Sequence, residues 1–372
     1  MSLSFNLPYW YDLHTHLRQD EILPHVINSH IKAKCNGVLA MPNTVPPVGK
    51  IYKKDSENYI SLEEYISNIS EYSNGKLEHI IVPLYLTKNT TIDMIQQGVN
   101  SKLLKACKYY PPFGTTNADF GCNIEHFIHN GVLKEMEKQG VVLCIHGEEV
   151  GISNTDYFDK NRNAEEIFYK EIMPLIIKKF PNLKIVCEHI TTEVAVEFVY
   201  NSNKNVSASI TPQHLLYTVA DLLRGCKYHL YCLPLLKFES DRDALRKAVT
   251  SEHNFKFFAG TDSAPHFRKV TECGCAAGCF TAEVAPQMYL DAFEQSGLDF
   301  TYAKNRLIFE NFLCRNGAIF YNLPISRKSF TVIKKPSKVD IISFKGGQLT
   351  PLPVGLNNNH NNEPTMLNWS II

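Results

Sequence analysis

Eight short apolar, β-branched or aromatic runs alternate with segments of helical periodicity, and this alternation limits the fold more than any other feature of the chain. The runs are Trp10–His14, Gly37–Met41, His79–Tyr85, Leu103–Tyr109, Val141–His146, Lys184–His189, Val206–Ile210 and Lys256–Gly260. Between them, Leu62–Tyr72, Ile124–Lys138, Ala164–Lys178, Glu193–Tyr200 and Ser240–Ser251 carry apolar residues at three- and four-residue intervals. In the second of these, Leu133 and Met136 form part of one packing stripe, and Gly140 marks its end. Repeated strand–helix units build a parallel sheet, and eight of them close a (β/α)8 TIM barrel.

The 372 residues are 44% hydrophobic, enough to bury a large core. One α/β domain is expected, with residues 1–320 as the barrel and 321–372 as a C-terminal extension packed on it within the same domain. In that extension Phe330–Ile333 and Val339–Phe344 alternate like strands. The tract Asn357–Asn362 is low-complexity, too polar to bury itself, and is expected to be a mobile loop with His360 in solvent. Lys plus Arg and Asp plus Glu both number 38, with no polybasic block to follow a phosphate backbone, which argues against nucleic acid and anionic membranes as partners. No apolar run approaches the roughly 18 residues of a membrane span. A cleavable leader would remove part of the histidine motif that begins at residue 14, so a cytoplasmic location is expected.

Cysteine usage fits a reducing compartment. Eleven cysteines is an odd number, and Cys107, Cys144 and Cys187 lie inside apolar runs, where they act as small buried hydrophobes. The cluster Cys273-Gly274-Cys275-Ala276-Ala277-Gly278-Cys279 supplies only three thiols, without C-x2-C spacing or a matching second half. It reads better as a glycine-rich loop than as a zinc or iron–sulfur site.

The chemistry begins at His14-Thr15-His16. Side chains in a strand repeat every two residues, so both imidazoles face one side at the C-terminal end of the first strand. His146 ends the fifth strand, His189 ends the sixth, and Asp262 follows the eighth. Any one of these alone is more ordinarily a core or surface residue, yet strand ends converge at one mouth of a parallel barrel. Imidazole suits zinc, and a carboxylate can ligate metal or accept a proton. Lys108, inside the fourth strand, is the odd member. An ammonium facing inward beside those histidines must be neutral, salt-bridged or chemically converted, and burial favours the neutral amine, which adds carbon dioxide to give a bidentate carbamate. Such an anion spans two zinc ions about 3.5–4 Å apart. Lys105 is the alternative if the strand phase is reversed.

Nine blocks carry a resemblance. They are Asp12-Leu13-His14-Thr15-His16-Leu17-Arg18, Met41-Pro42-Asn43-Thr44, Lys108-Tyr109-Tyr110-Pro111, Thr115-Thr116-Asn117, His146-Gly147-Glu148, Glu188-His189-Ile190-Thr191-Thr192, Thr211-Pro212-Gln213-His214-Leu215, Tyr231-Cys232-Leu233-Pro234 and Gly260-Thr261-Asp262-Ser263-Ala264-Pro265-His266. In content and order the chain resembles the stand-alone, single-barrel dihydroorotases of the amidohydrolase superfamily.

That resemblance implies reversible cyclisation of N-carbamoyl-L-aspartate to L-dihydroorotate in pyrimidine biosynthesis by a homodimer. It assigns His14, His16, carboxylated Lys108 and Asp262 to one zinc, and Lys108, His146 and His189 to a second. It further implies a zinc-activated hydroxide, with Asp262 as general acid and base. Arg18, Asn43 and His266 would hold the substrate carboxylate, and the Leu233 main chain the ring amide. The cysteine-bearing loop has one alanine more than the family pattern, so either Ala276 or Ala277 adds backbone contacts, Ala277 being the expected one. Thr115 and Thr116 match a mobile lid whose hydroxyls reach the substrate. Two other readings remain open. A hydantoinase or allantoinase would share the metal frame but leave Arg18, Asn43 and His266 without a carboxylate, and a catalytically inactive scaffold would hold no zinc.

Overall fold

In the computed structural model, which describes residues 3–55, 58–272, 274–356 and 364–372, the eight expected strands form a (β/α)8 barrel. They are Trp10–Thr15, Cys35–Ala40, His79–Ile81 continued by Leu84–Tyr85, Ala106–Tyr109, Val142–Ile145, Ile185–Cys187, Val206–Ile210 and Phe257–Ala259. The third strand comes in two pieces because Pro83 has no N–H to give the ladder. Pairing is parallel throughout, for example Lys108 with Cys144 and Val186 with Ser207. The ring closes where Asp262 N–H donates to His14 O at 2.8 Å and His16 N–H donates to Ser263 O at 2.9 Å.

Alternation decides which side chains enter the barrel. Leu13, Leu39, Ala106, Val142, Cys144, Val186 and Phe258 pack together inside it, whereas their neighbours Cys107, Leu143, Cys187 and Phe257 pack outward under the helices. Ala318, Tyr321 and Leu323 close the end from which the strands start. Gly317 permits that closure, since a Cβ there would lie 2.2 Å from Leu13 Cδ1.

Two expected helices are modified. Ile124–Lys138 is two helices, Ile124–His129 and Val132–Gln139, because Gly131 turns the backbone left-handed at φ 89°. Ala164–Lys178 contains a π-helical turn, Phe168–Ile172, just before Pro174, whose ring cannot continue the α-helical ladder. Leu62–Ser73, Glu193–Asn201 and Glu239–Thr250 lie close to expectation.

After residue 320 the chain returns to its N-terminal segment. Strand Ser329–Ile333 lies antiparallel between Ser4–Pro8 and Ser370–Ile371, and Trp369 is buried against Phe5 and Phe300. Of the expected strand Val339–Phe344 only Ile342–Phe344 forms, pairing with Gly347–Leu349 as a hairpin, and a separate short strand, Ser337–Lys338, precedes it and pairs with Met366–Leu367. The asparagine tract with His360, and Cys273 of the cysteine cluster, lie outside the described residues.

Candidate active site

A local bulge aims the first two histidines. Asp12 pairs with Val38 and Thr15 with Ala40, three residues against two, so one extra residue enters the first strand. Without it, Tyr11 and Leu13 would be followed on the inner face by Thr15. With it, His14 and His16 turn into the mouth, while Asp12 points away and accepts from Thr261 N–H at 2.9 Å and Thr261 Oγ–H at 2.6 Å. That pair of bonds fixes the start of the Asp262 loop.

The other ligand-type side chains arrive by two routes. Lys108 and His146 lie on the inner faces of the fourth and fifth strands and are buried, while Lys105, the alternative lysine, is exposed. His189 and Asp262 are turned inward by left-handed backbone, at φ 41° and 48°. Non-glycine residues adopt such angles at a cost, and they concentrate at functional sites.

Five of the six side chains meet, and Lys108 is buried within electrostatic reach of His14, His146 and His189. His16 Nε2 stands 3.0 Å from Asp262 Oδ1, and His14 Nε2 stands 3.4 Å from the same oxygen without a hydrogen bond to it. The His189 ring lies 4.7 Å from that of His14 and 4.8 Å from that of His146, centroid to centroid. Metal-ligating atoms of His14, His16 and Asp262 all fall within 4.8 Å of one another.

The electrostatics split the imidazoles beside an anion: burial would lower His14, but Glu188 and Asp262 outweigh it and raise its pKa, whereas the other three rings are lowered. Burial pushes His16 down to about 4, and burial with the neighbouring His14 and His146 drives His189 well below its ordinary value. Burial would raise Asp262, but the His16 hydrogen bond and the adjacent His14 and His189 rings overcome it and hold the carboxylate well below its ordinary value. Burial lowers Lys108 as well. Three buried nitrogens, His14 Nε2, Lys108 Nζ and His189 Nδ1, have no hydrogen-bond partner. Orphaned donors of this kind are rare unless a ligand completes them. Imidazole nitrogens with one carboxylate make a donor set that fits zinc.

Two glutamates orient the rings, and sequence reasoning gave neither a role. His14 Nδ1 is 2.7 Å from Glu188 Oε2, and His146 Nε2 is 2.7 Å from Glu148 Oε2. A carboxylate behind an imidazole fixes its tautomer and strengthens it as a ligand. Glu188 was detectable in principle, since it shares the inner phase of Val186.

The substrate-side residues line the same cavity. Its wall includes Arg18, Asn43, Thr115, Thr116, Leu233 and Ala277 together with the histidines and Asp262. It opens into an outer cavity of about 740 Å³, where His266, Phe344 and Gly346 join Arg18 and Asn43. Arg18 donates through Nε to Pro265 O at 3.2 Å and through Nη2 to His266 Nε2 at 3.0 Å when that nitrogen bears no proton. Burial and Arg18 lower His266 to about 3, so the ring is neutral. In the other tautomer the same nitrogen donates to Ala277 O at 2.7 Å. Asn43 ties the mouth to the Thr115–Thr116 loop, with Oδ1 at 2.7 Å from His16 Nδ1 and Nδ2 donating to Thr116 O at 2.9 Å.

Relatives of known kind share nearly the whole chain. A dihydroorotase from Vibrio vulnificus strain CMCP6 is 40% identical over 351 residues, covering 93% of this chain and 95% of the relative. The chain belongs to the dihydroorotase family. A dihydroorotase from Acaryochloris marina is 38% identical over 352 residues, covering 92% and 94% of the two chains. Among solved dihydroorotases, the Saccharomyces cerevisiae enzyme in complex with 5-fluoroorotic acid matches with a TM-score of 0.84 at 25% identity, covering 99% of this chain and 98% of that one. The Campylobacter jejuni dihydroorotase matches with a TM-score of 0.82 at 26% identity, covering 100% and 98%. A Brevibacillus agri dihydropyrimidinase shares the barrel at 13% identity and a TM-score of 0.72, covering 99% and 83%, which speaks for the fold alone. No protein-family model matches the chain.

Proposed function

We propose that the chain catalyses the reversible cyclisation of N-carbamoyl-L-aspartate to L-dihydroorotate, as a zinc-dependent cyclic amidohydrolase. One observation carries the choice of substrate. The Arg18 guanidinium lies in the same cavity as the His14, His16 and Asp262 cluster, held by Pro265 O and His266 and, among the described residues, hydrogen-bonded to no carboxylate. A substrate carboxylate would complete it. A hydantoin lacking that group would leave the cation unpaired, at a cost of about 1–3 kcal/mol or more.

In this reading His14, His16, Lys108 and Asp262 hold one zinc, and Lys108, His146 and His189 hold the other, with Lys108 carboxylated on Nζ. When bound, the ions supply Lewis acidity and lower the pKa of water to about 7. Arg18, Asn43 and His266 bind the substrate carboxylate and orient the ring amide toward Asp262. Asp262 is the proton carrier: it takes a proton from the ureido nitrogen during closure and returns it to the ring nitrogen during hydrolysis. Backbone groups of Leu233 and Ala277 hold the ring, and Thr115 and Thr116 cover it and exclude water. The enzyme is read as a cytoplasmic homodimer. No helix among the described residues is long and apolar enough to cross a membrane.

The test is an ultraviolet assay of dihydroorotate hydrolysis on purified protein, with zinc counted in the same sample. Turnover with about two zinc ions per chain is expected. Zinc-loaded protein that hydrolyses hydantoin but not dihydroorotate would overturn the assignment.

A further inference from the structure

Lys269 takes no part in the chemistry above, yet it is 8% exposed and, among the described residues, its ammonium meets no carboxylate. Its three N–H groups go to three main-chain carbonyls: Tyr231 at 2.7 Å, Ala276 at 2.6 Å, and Gly278. An ammonium has three donors, so the cage saturates it. Burying a charge with only neutral acceptors is costly. Such an arrangement persists where the geometry it imposes is needed.

The carbonyls belong to the two segments that wall the substrate side of the cavity. Tyr231 lies two residues before Leu233, and Ala276 and Gly278 flank Ala277. The segments also bond directly, Gly278 N–H to Tyr231 O at 2.9 Å, while Ala276 N–H donates to Lys269 O at 2.8 Å. In extended chain, alternate carbonyls point to opposite sides. By taking those of Ala276 and Gly278, the ammonium leaves Ala277 O facing the other way, 2.7 Å from His266 Nε2.

We infer that Lys269 is a positioning residue that presents the Leu233 and Ala277 backbone groups to a cyclic ureide ring, and so sets ring recognition without touching the substrate. This inference rests on the dihydroorotase reading. It adds a requirement that reading does not contain: a cation outside the cavity governs how tightly the ring is held. Lys269 makes no hydrogen bond to Arg18, Asp262 or the histidines, so the inference leaves the chemical step and the metal largely unaffected.

The experiment uses the full-length, zinc-loaded enzyme carrying Lys269→Met, which keeps the length of the side chain and removes the three donors. KM for dihydroorotate is expected to rise about tenfold, with kcat changed much less and zinc content unchanged. Hydrogen exchange is expected to quicken in segments 231–235 and 274–280. Lys269→Gln, which keeps an amide donor, should fall between the two, and it supplies the same readouts if the methionine variant does not fold. An unchanged KM with unchanged exchange overturns the inference. So does parallel loss of kcat, zinc and melting temperature in both variants, which would make Lys269 a general structural residue. Absence of dihydroorotate turnover in the unmodified enzyme would instead defeat the functional reading, and the exchange data would then decide the role of Lys269 alone.

Discussion

Nδ1 of His14 lies 2.7 Å from Oε2 of Glu188, a carboxylate 174 positions further along the chain. Ser209 Oγ–H donates to the same oxygen. Burial would raise the Glu188 carboxyl, but His14, Lys108 and Ser209 hold it below its usual range, so it stands ionised behind the ring. His14 is thereby locked with Nε2 turned toward Asp262.

Glu188→Gln keeps the size of this support and removes its charge. Zinc affinity is expected to fall by about 10- to 100-fold, the range for partners behind metal-ligating histidines. A chelator competition reads this directly, and zinc retention equal to that of the unmodified enzyme would contradict the orienting role.

Lys108 is buried with Nζ 5.0 Å from the Tyr110 ring centroid. Its lowered pKa makes the neutral amine available to carbon dioxide. Lys108→Ala is expected to abolish paired zinc binding and turnover, with partial recovery in carbon dioxide plus a short carboxylic acid. Metal analysis and assay in parallel test it, and full zinc occupancy with normal turnover in the variant would remove the carbamate bridge.

Arg18→Met should raise KM strongly and lower turnover while zinc stays in place if, as proposed, the guanidinium serves the substrate carboxylate and not the metal. A truncated clamp of this kind costs on the order of 2–5 kcal/mol. Steady-state kinetics with dihydroorotate decide it, and unchanged constants would take Arg18 out of the site.

The lid residue Asn117 donates from Nδ2 to Asn43 O at 2.9 Å, and its own carbonyl accepts from Tyr85 Oη–H at 3.3 Å. Asn117→Gly tolerates the left-handed backbone at φ 56° but loses the amide bond. KM is expected to rise by about 3- to 10-fold, the loss of one hydrogen bond, with faster exchange at 112–118. Equal exchange in both proteins would show that Asn117 does not latch the lid.

Glu165 supports the loop behind His189, accepting from Thr191 N–H at 2.7 Å and also from the Thr191 hydroxyl. Burial pushes its pKa up to about 7. The folded state therefore binds a proton more tightly than the unfolded chain does. This contribution is intact at pH below about 4.5 and is lost as pH rises to about 7, by about 3 kcal/mol. Glu165→Gln carries no such titration. The difference in urea unfolding free energy between the two proteins should shift against the unmodified enzyme across that window, and a difference that stays flat with pH would show that Glu165 does not titrate there.

What could be read in the sequence depended on periodicity and on local spacing. The eight strands and the inward phase of Lys108 followed from alternation, and His14 with His16 from a two-residue repeat. The bulge at residues 12–15 was not readable, because it depends on how the neighbouring strand pairs. Glu188 shared the inner phase of Val186 but its partner His14 is 174 residues away, while Glu165 and Lys269 stayed hidden because a lone acid or lysine outside a strand has no spacing to betray it. The divided helix at Gly131 and the π turn before Pro174 were marked by residues that break helices, but the pattern of apolar residues runs through both.

The left-handed backbone at His189 and Asp262 has a consequence for any attempt to redesign the site. Each position demands a residue for its torsion angle as well as for its donor atom. Asp262→Asn meets the first demand and fails only the second, so it separates charge from shape. Asp262→Glu combines a longer reach with a side chain that tolerates this torsion less well. A library of ligand swaps would therefore yield fewer working variants at these two positions than at His14, His16 or His146, none of which has a positive φ.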